Sequence, residues 1–219
     1  MLDTYEKIVG KNADIAIIWL HGLGASGYDF ADLPNDLNLP PSFGVHFIFP
    51  HAPIQPVTIN EGVSMPAWYD IYNLDNTKKE DNIGIIKSQK EIEFLIEKQK
   101  QSGVPASRIF LAGFSQGGAL ALFAGLQHSE KLAGIICLSA YLPLRRKLEK
   151  NTHLLNLETP VMLSHGTQDE IIDFRFGEKT RDKLKKIGVN LTWKSYDMGH
   201  STCAKQITDI QKFIIKYLN

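Results

Sequence analysis

Residues 108–124 read RIFLAGFSQGGALALFA and join two apolar stretches through a serine flanked by glycines. Arg108–Phe114 has the length and composition of a buried β-strand, and Gly117–Leu126 is small and apolar enough for a buried helix. The pentapeptide at 113–117 matches the pattern G-x-S-x-G. Between a strand and a helix, this pattern exposes the serine hydroxyl beside the free amides of the helix N-terminus. The alternative is an incidental serine in an ordinary turn, but the flanking elements favour Ser115 as a nucleophile.

Strands and helices are predicted to alternate along the rest of the chain. Apolar runs that end in turn residues predict further strands at Ala13–Leu20, Val45–Phe49, Leu132–Ser139, Pro160–Ser164 and Leu191–Tyr196. Apolar residues at helical spacing predict helices at Ile83–Gln101, Phe174–Ile187 and Ala204–Leu218. This alternation predicts an α/β fold with a mostly parallel central sheet and helices on both faces. In such folds ligands bind beyond the carboxyl ends of the strands, so site residues are expected in the loops that follow them.

Length and composition predict a single globular domain over residues 1–219. Lys and Arg together number 24, as do Asp and Glu, so the charge balance does not indicate a nucleic-acid partner. The two cysteines, Cys137 and Cys203, do not make a disulfide framework. We expect no metal and no cofactor. No secretory signal is recognised, and the expected location is the cytoplasm.

The glycine-rich loop at 21–27, HGLGASG, follows the first buried strand. A hydrolase of this type stabilises a developing oxyanion with two backbone amides. One belongs to the residue after the nucleophile, Gln116, and the other comes from the loop after an earlier strand, for which Leu23 is the candidate. The loop also matches the dinucleotide pattern G-x-G-x-x-G. Pro34 disfavours that alternative, because it makes residues 28–37 a poor crossover helix.

Seven histidines are candidates for a general base. In folds with this serine turn, the chain order is nucleophile, acid, histidine, which excludes the histidines before Ser115. His128 and His153 lie among polar residues and are predicted at the surface. His165 ends a predicted strand, but the best acid candidate follows it rather than precedes it. His200 remains as the base.

The acid is expected in a loop after a strand, between the serine and the histidine. Asp169 fits best, and Glu170 is the alternative. In the predicted roles His200 takes the proton of Ser115 and returns it to the leaving group, while Asp169 orients His200 and stabilises its cationic form.

Residues 51–78 form a connection that is too long for an ordinary loop and too apolar for disorder. Such a segment is usually functional in a compact domain. We therefore expect it to contribute to the binding site.

These features occur within a longer series of short motifs. In chain order they are HGLG (21–24), PHAP (50–53), PVT (56–58), AWYD (67–70), GFSQGGA (113–119), LPL (142–144), HGTQD (165–169) and MGHS (198–201). The series resembles the acyl-protein thioesterase and small carboxylesterase family of α/β hydrolases, which are also described as lysophospholipases. The resemblance implies a lidless α/β-hydrolase fold, a triad of Ser115, Asp169 and His200, and oxyanion amides at Leu23 and Gln116.

The resemblance further implies that the segment around Met65, Trp68 and Leu74 forms an apolar channel for an acyl chain. Two positions depart from the pattern of eukaryotic members, which often have aspartate where Ala25 stands and cysteine where this chain has Ala140 and a tyrosine. These departures leave the chemistry intact and favour a general carboxylesterase over a dedicated protein depalmitoylase.

Two alternatives concern what the fold is used for. A catalytically silent α/β-hydrolase fold could serve as a small-ligand receptor, although silent members are expected to lack a triad residue. Separately, Trp68, Tyr69, Ile71, Tyr72 and Leu74 could make transient contact with a membrane surface, or they could pack on the sheet.

Overall fold

The computed structural model describes residues 2–73, 79–145, 147 and 154–218. The strands of these residues are β1 (Thr4–Val9), β2 (Ile15–Leu20), β3 (Val45–Pro50), β4 (Ile54–Val57), β5 (Val63–Pro66), β6 (Ile109–Phe114), β7 (Gly134–Leu138), β8 (Val161–Gly166) and β9 (Leu191–Tyr196). The α-helices are α1 (Leu33–Leu37), α2 (Asn82–Gln101), α3 (Gln116–Gln127), α4 (Leu154–Leu157), α5 (Phe174–Lys186) and α6 (Ala204–Leu218).

The central sheet has the strand order β1-β3-β2-β6-β7-β8-β9. Strand β1 pairs with β3 in antiparallel fashion, and the other neighbouring pairs of this sheet are parallel. The predicted, mostly parallel α/β fold is therefore confirmed. Strand β1 was not predicted from the sequence. Its partly buried and exposed residues alternate, as expected for a strand at the edge of a sheet.

Helices cover both faces of the sheet. Side chains of α2, α3 and α5 form one apolar core with alternate residues of the central strands, and α1 and α6 close a second core on the opposite face. Strands β2, β7 and β8 are buried along their whole length, which explains their nearly continuous apolar sequences. Among the described residues, no helix has the length and apolarity to cross a membrane.

The segment at 51–78 contains a β-hairpin that was not predicted from the sequence. Strands β4 and β5 pair antiparallel and are connected through the 3₁₀ turn Thr58–Asn60. Glu61 and Gly62 both have positive φ, of 56° and 78°, which lets the chain reverse there. Pro56 and Pro66 disfavoured the prediction of strands here, because a proline within a short run argues against a strand that is paired on both sides.

The side chains that follow this hairpin are mostly buried. Trp68 and Tyr69 are each 1% exposed, and Ile71 is 9% exposed. These three side chains cannot touch lipid from such positions, so the predicted membrane contact through them is wrong. The alternative is correct: Trp68, Tyr69 and Ile71 pack in the hydrophobic core that also contains side chains of α2 and α3. Leu74 lies outside the described residues.

The surface prediction for His128 is also wrong. This histidine follows α3 and is buried, because the segment containing Asn156 packs over it and donates a hydrogen bond to its carbonyl oxygen. His153 lies outside the described residues.

Candidate active site

Ser115 stands in a strained turn between β6 and α3. Its φ and ψ are 54° and −123°, a conformation that a residue with a side chain rarely adopts. The turn is tight because a Cβ on Gly117 would lie 2.3 Å from the Leu20 carbonyl oxygen, and one on Gly113 would lie 2.5 Å from the carbonyl carbon of Gly117. The two glycines of the pattern thus permit the close backbone approach that exposes the serine.

The structure brings the three predicted triad residues together. His200 Nε2 lies 2.9 Å from Ser115 Oγ, and His200 Nδ1 lies 2.7 Å from Asp169 Oδ2. The three side chains follow β6, β8 and β9, at the carboxyl ends of parallel strands. The ring of Phe114 packs 4.7 Å from that of His200 and supports its orientation.

Asp169 is held as a carboxylate by donors on both of its oxygens. Its Oδ1 accepts hydrogen bonds from the amides of Ile171 at 3.0 Å and Ile172 at 2.8 Å. Burial raises the pKa of Asp169, but hydrogen bonds from His165, His200 and the Ile172 amide outweigh it and hold that pKa well below its ordinary value. The alternative acid, Glu170, is exposed, and the carboxylate bonded to the histidine is that of Asp169.

Leu23 and Gln116 both line the cleft that contains Ser115 and His200. Gln116 is the first residue of α3, so its amide is one of those that have no partner within the helix. The loop that carries Leu23 passes directly beside the serine, since a Cβ on Gly22 would lie 3.4 Å from Ser115 Cβ. Both candidate oxyanion residues are therefore next to the nucleophile.

A network of buried polar groups holds this loop, and the sequence did not predict its hydrogen bonds. The indole Nε1 of Trp68 donates to the His21 carbonyl oxygen at 2.8 Å, and the amide of Ala52 donates to His21 Nε2 at 3.0 Å. Because Nε2 accepts, Nδ1 carries the proton and donates to the Gly22 carbonyl oxygen at 2.7 Å. Burial lowers the pKa of His21, which favours this neutral form.

The side chain of Gln116 joins the network from the other side. Its Oε1 accepts from the amide of Trp68 at 2.9 Å, and its Nε2 donates to the Tyr69 carbonyl oxygen at 2.7 Å. The residue that supplies one candidate oxyanion amide is thereby tied to the segment after β5. The only sequence signal for this role was an amide side chain at the start of a buried helix.

The cleft has a volume of about 460 Å³ and mostly apolar walls. The walls include Leu23, Phe30, Ile59, Ile71 and Ile171. Among the described residues that line the cleft, the carboxylate is that of Asp29, which accepts hydrogen bonds from Ser26.

Two of the three predicted substrate contacts, Met65 and Trp68, are not among the described residues that line this cleft. Trp68 does not line the cleft, because its indole is buried against His21 and holds the loop from behind. Met65 does not line it either, although its Sδ accepts a hydrogen bond at 3.2 Å from Asn60, which does. The third, Leu74, lies outside the described residues. The hairpin therefore reaches the cleft through its turn, at Ile59 and Asn60.

Comparisons with known proteins agree with this fold. The chain matches the model of the phospholipase/carboxylesterase family over residues 6–218. It is 41% identical to acyl-protein thioesterase 1 of Neurospora crassa, over 92% of this chain and 86% of the relative. It is 38% identical to acyl-protein thioesterase 1 of Cryptococcus neoformans, over 97% of this chain and 96% of the relative.

Among solved structures, SOBER1 of Arabidopsis thaliana superposes with a TM-score of 0.89 at 30% identity, over 94% of this chain and 99% of that one. Acyl-protein thioesterase 2 of Zea mays gives a TM-score of 0.86 at 27% identity, over 98% and 99% of the two chains. The fold and the serine turn are those of an α/β hydrolase. The chain belongs to the phospholipase/carboxylesterase family, and it is an ester or thioester hydrolase.

Proposed function

We propose that this protein hydrolyses acyl esters and thioesters through an acyl-serine intermediate formed on Ser115. The main observation behind this proposal is that the His200 imidazole lies 2.9 Å from the Ser115 hydroxyl and 2.7 Å from the Asp169 carboxylate. That arrangement supplies an activated nucleophile, a base and a group that orients the base.

In the first half-reaction His200 Nε2 accepts the hydroxyl proton while Ser115 Oγ attacks the acyl carbonyl. The amides of Leu23 and Gln116 donate to the oxygen that becomes negative. The protonated His200, which is stabilised by Asp169, then donates the proton to the departing alcohol or thiol. In the second half-reaction water replaces the leaving group, and the same proton path releases the carboxylic acid and free Ser115.

The apolar walls of the cleft favour an acyl chain over a polar acid part. The fungal relatives are named acyl-protein thioesterases, which supports thioesters of acylated proteins as one substrate class. Simple carboxylic esters and lysophospholipids are the others, in keeping with the family description. We propose a cytoplasmic location.

The test uses variants of two serines. Ser115→Ala should lose at least 99.9% of the hydrolysis of a chromogenic acyl ester and of an acyl thioester, because removal of a triad nucleophile leaves only residual catalysis. Ser107→Ala, at an exposed serine before β6, should retain wild-type rates. A fluorophosphonate probe should label the wild type and the Ser107 variant, and it should fail to label the Ser115 variant.

An unlabelled wild type that is folded and inactive on every acyl ester and thioester would contradict the proposal. That outcome would favour the alternative of a ligand-binding α/β-hydrolase fold. Retained activity in Ser115→Ala would contradict the assignment of the nucleophile.

The proposal includes transient contact with a membrane surface, at a different place from the buried rings after β5. Ile54 of the hairpin is 75% exposed. Replacing it with serine should reduce flotation with liposomes, while Ile8→Ser, at an exposed residue of the edge strand β1, should not. Equal flotation of all three proteins would contradict the contact.

A further inference from the structure

His165 is a second buried histidine at the active site, and the proposed reaction does not use it. It lies in β8, four residues before Asp169, and it is fully buried. Its Nε2 lies 2.6 Å from the Ile172 carbonyl oxygen and 3.3 Å from Asp169 Oδ2. Asp169 thus has an imidazole on either side, one of which faces the cleft and one of which faces the interior.

The surroundings of His165 determine which of its nitrogens carries the proton. Both neighbours of Nε2 are acceptors, so Nε2 must be the donor. Its Nδ1 is buried and has no hydrogen-bond partner among the residues that the structure describes. Helix α5 seals that side of the ring, because Gly177 packs so closely that a Cβ there would lie 2.6 Å from Nδ1. His165 therefore presents a single, fixed N–H to the turn that contains Asp169.

That turn is held at both of its ends. The Ile172 amide donates to Asp169 Oδ1, and the Ile172 carbonyl accepts from His165 Nε2. The same residue also lines the cleft. A change in the His165 contact would therefore move the carboxylate that orients His200 and one wall of the substrate site together.

We infer that His165 is a positioning residue that acts through Asp169: its Nε2–H holds the turn at 169–172 so that the carboxylate stays aligned with His200. This inference rests on the proposed function of the triad. It assigns His165 no proton transfer and no contact with substrate.

The test compares two variants of His165. His165→Phe keeps a buried aromatic ring but removes the donor, and we expect kcat to fall about tenfold with KM within about twofold. His165→Gln places an amide N–H near the position of Nε2, and it should recover most of the lost kcat. His128→Phe is the matched control, because it removes another buried histidine, at the end of α3 opposite Ser115, whose Nε2 has no partner within the described part of the chain. Its kcat should equal that of the wild type.

A spectroscopic measurement separates this inference from the proposed function. The proton between His200 Nδ1 and Asp169 Oδ2 should give a low-field ¹H signal that is absent in Asp169→Asn. His165→Phe should shift or broaden this signal, and His128→Phe should leave it unchanged. Because the signal does not depend on turnover, it tests the positioning role even if the wild type hydrolyses no acyl ester, a result that would contradict the proposed function alone.

Two results would overturn the inference. One is a folded His165→Phe protein with wild-type kcat and an unchanged low-field signal. If that variant does not fold, ¹⁵N chemical shifts of the wild type decide instead. A protonated Nε2 and unprotonated Nδ1 at His165 would support the role, and the opposite tautomer would overturn it.

Discussion

The indole Nε1 of Trp68 lies 2.8 Å from the carbonyl oxygen of His21 and donates a hydrogen bond to it. Both groups are buried, so neither can exchange this partner for water. The contact joins the segment after the hairpin to the loop that carries Leu23. A tryptophan that the sequence suggested as a substrate contact therefore supports the candidate oxyanion site from behind.

Trp68→Phe should lower both stability and activity. The change leaves the His21 carbonyl oxygen without its donor inside the protein, at a cost of about 1–3 kcal/mol. The loop should become less well ordered, so kcat should fall more than KM rises. Thermal melts and initial rates on a chromogenic ester measure the two effects. The control is Trp19→Phe, at a buried tryptophan on β2 whose Nε1 has no hydrogen-bond partner among the described residues. Unchanged kcat in Trp68→Phe would argue against the supporting role.

Gly117→Ala should destabilise the protein and abolish most activity. The added Cβ would lie 2.3 Å from the Leu20 carbonyl oxygen, a backbone atom that cannot move without displacing β2. We expect a loss of about 1–3 kcal/mol or more in the free energy of unfolding. Gly188→Ala is the control for the substitution itself, since no atom of the described residues lies within 4 Å of the added Cβ and only the φ of 86° is unfavourable. Equal losses in chemical denaturation would contradict the steric explanation.

The pH dependence of stability should reveal the state of Asp169. Its pKa is lowered in the folded protein, so the unfolded chain binds a proton more readily than the folded one. The resulting stabilisation is fully present above the unfolded value, about 3.9, and is lost as the pH falls through the folded pKa. Asp169→Asn should therefore be less stable than the wild type at pH 7, and the difference in melting temperature should shrink below pH 4. A difference that grows on acidification would contradict this assignment.

The acyl-chain preference should respond to Ile71. This residue lines the cleft and is almost completely buried, so Ile71→Trp should fill part of the apolar volume. We expect kcat/KM for long-chain esters to fall about tenfold or more relative to acetyl esters. Ile83→Trp, at an exposed residue of α2, should leave the chain-length profile unchanged. A parallel fall for all chain lengths in Ile71→Trp would indicate damage to the triad instead.

The sequence by itself was enough to predict the buried strands of the sheet and the candidate triad residues, because both depend on local sequence patterns. Continuous apolar runs predicted β2, β6, β7 and β8, because strands buried on both faces need apolar side chains at every position. The G-x-S-x-G pattern placed Ser115 between a strand and a helix, since only glycine permits the close backbone approach seen at Gly117. Chain order then selected Asp169 and His200, because parallel strands bring their following loops to one edge of the sheet.

Only the tertiary structure decided what the polar and aromatic side chains around these residues do. Trp68, His165 and Gln116 each act through a partner that is distant in the sequence or on another element, such as His21 for the indole and Tyr69 for the amide. Local patterns carry no information about such pairs, because hydrogen-bond partners are set by the packing of whole elements. For the same physical reason the hairpin was not predicted, and the sequence left the burial of Trp68 as one of two alternatives: an apolar ring looks alike in sequence whether it faces a ligand or the core.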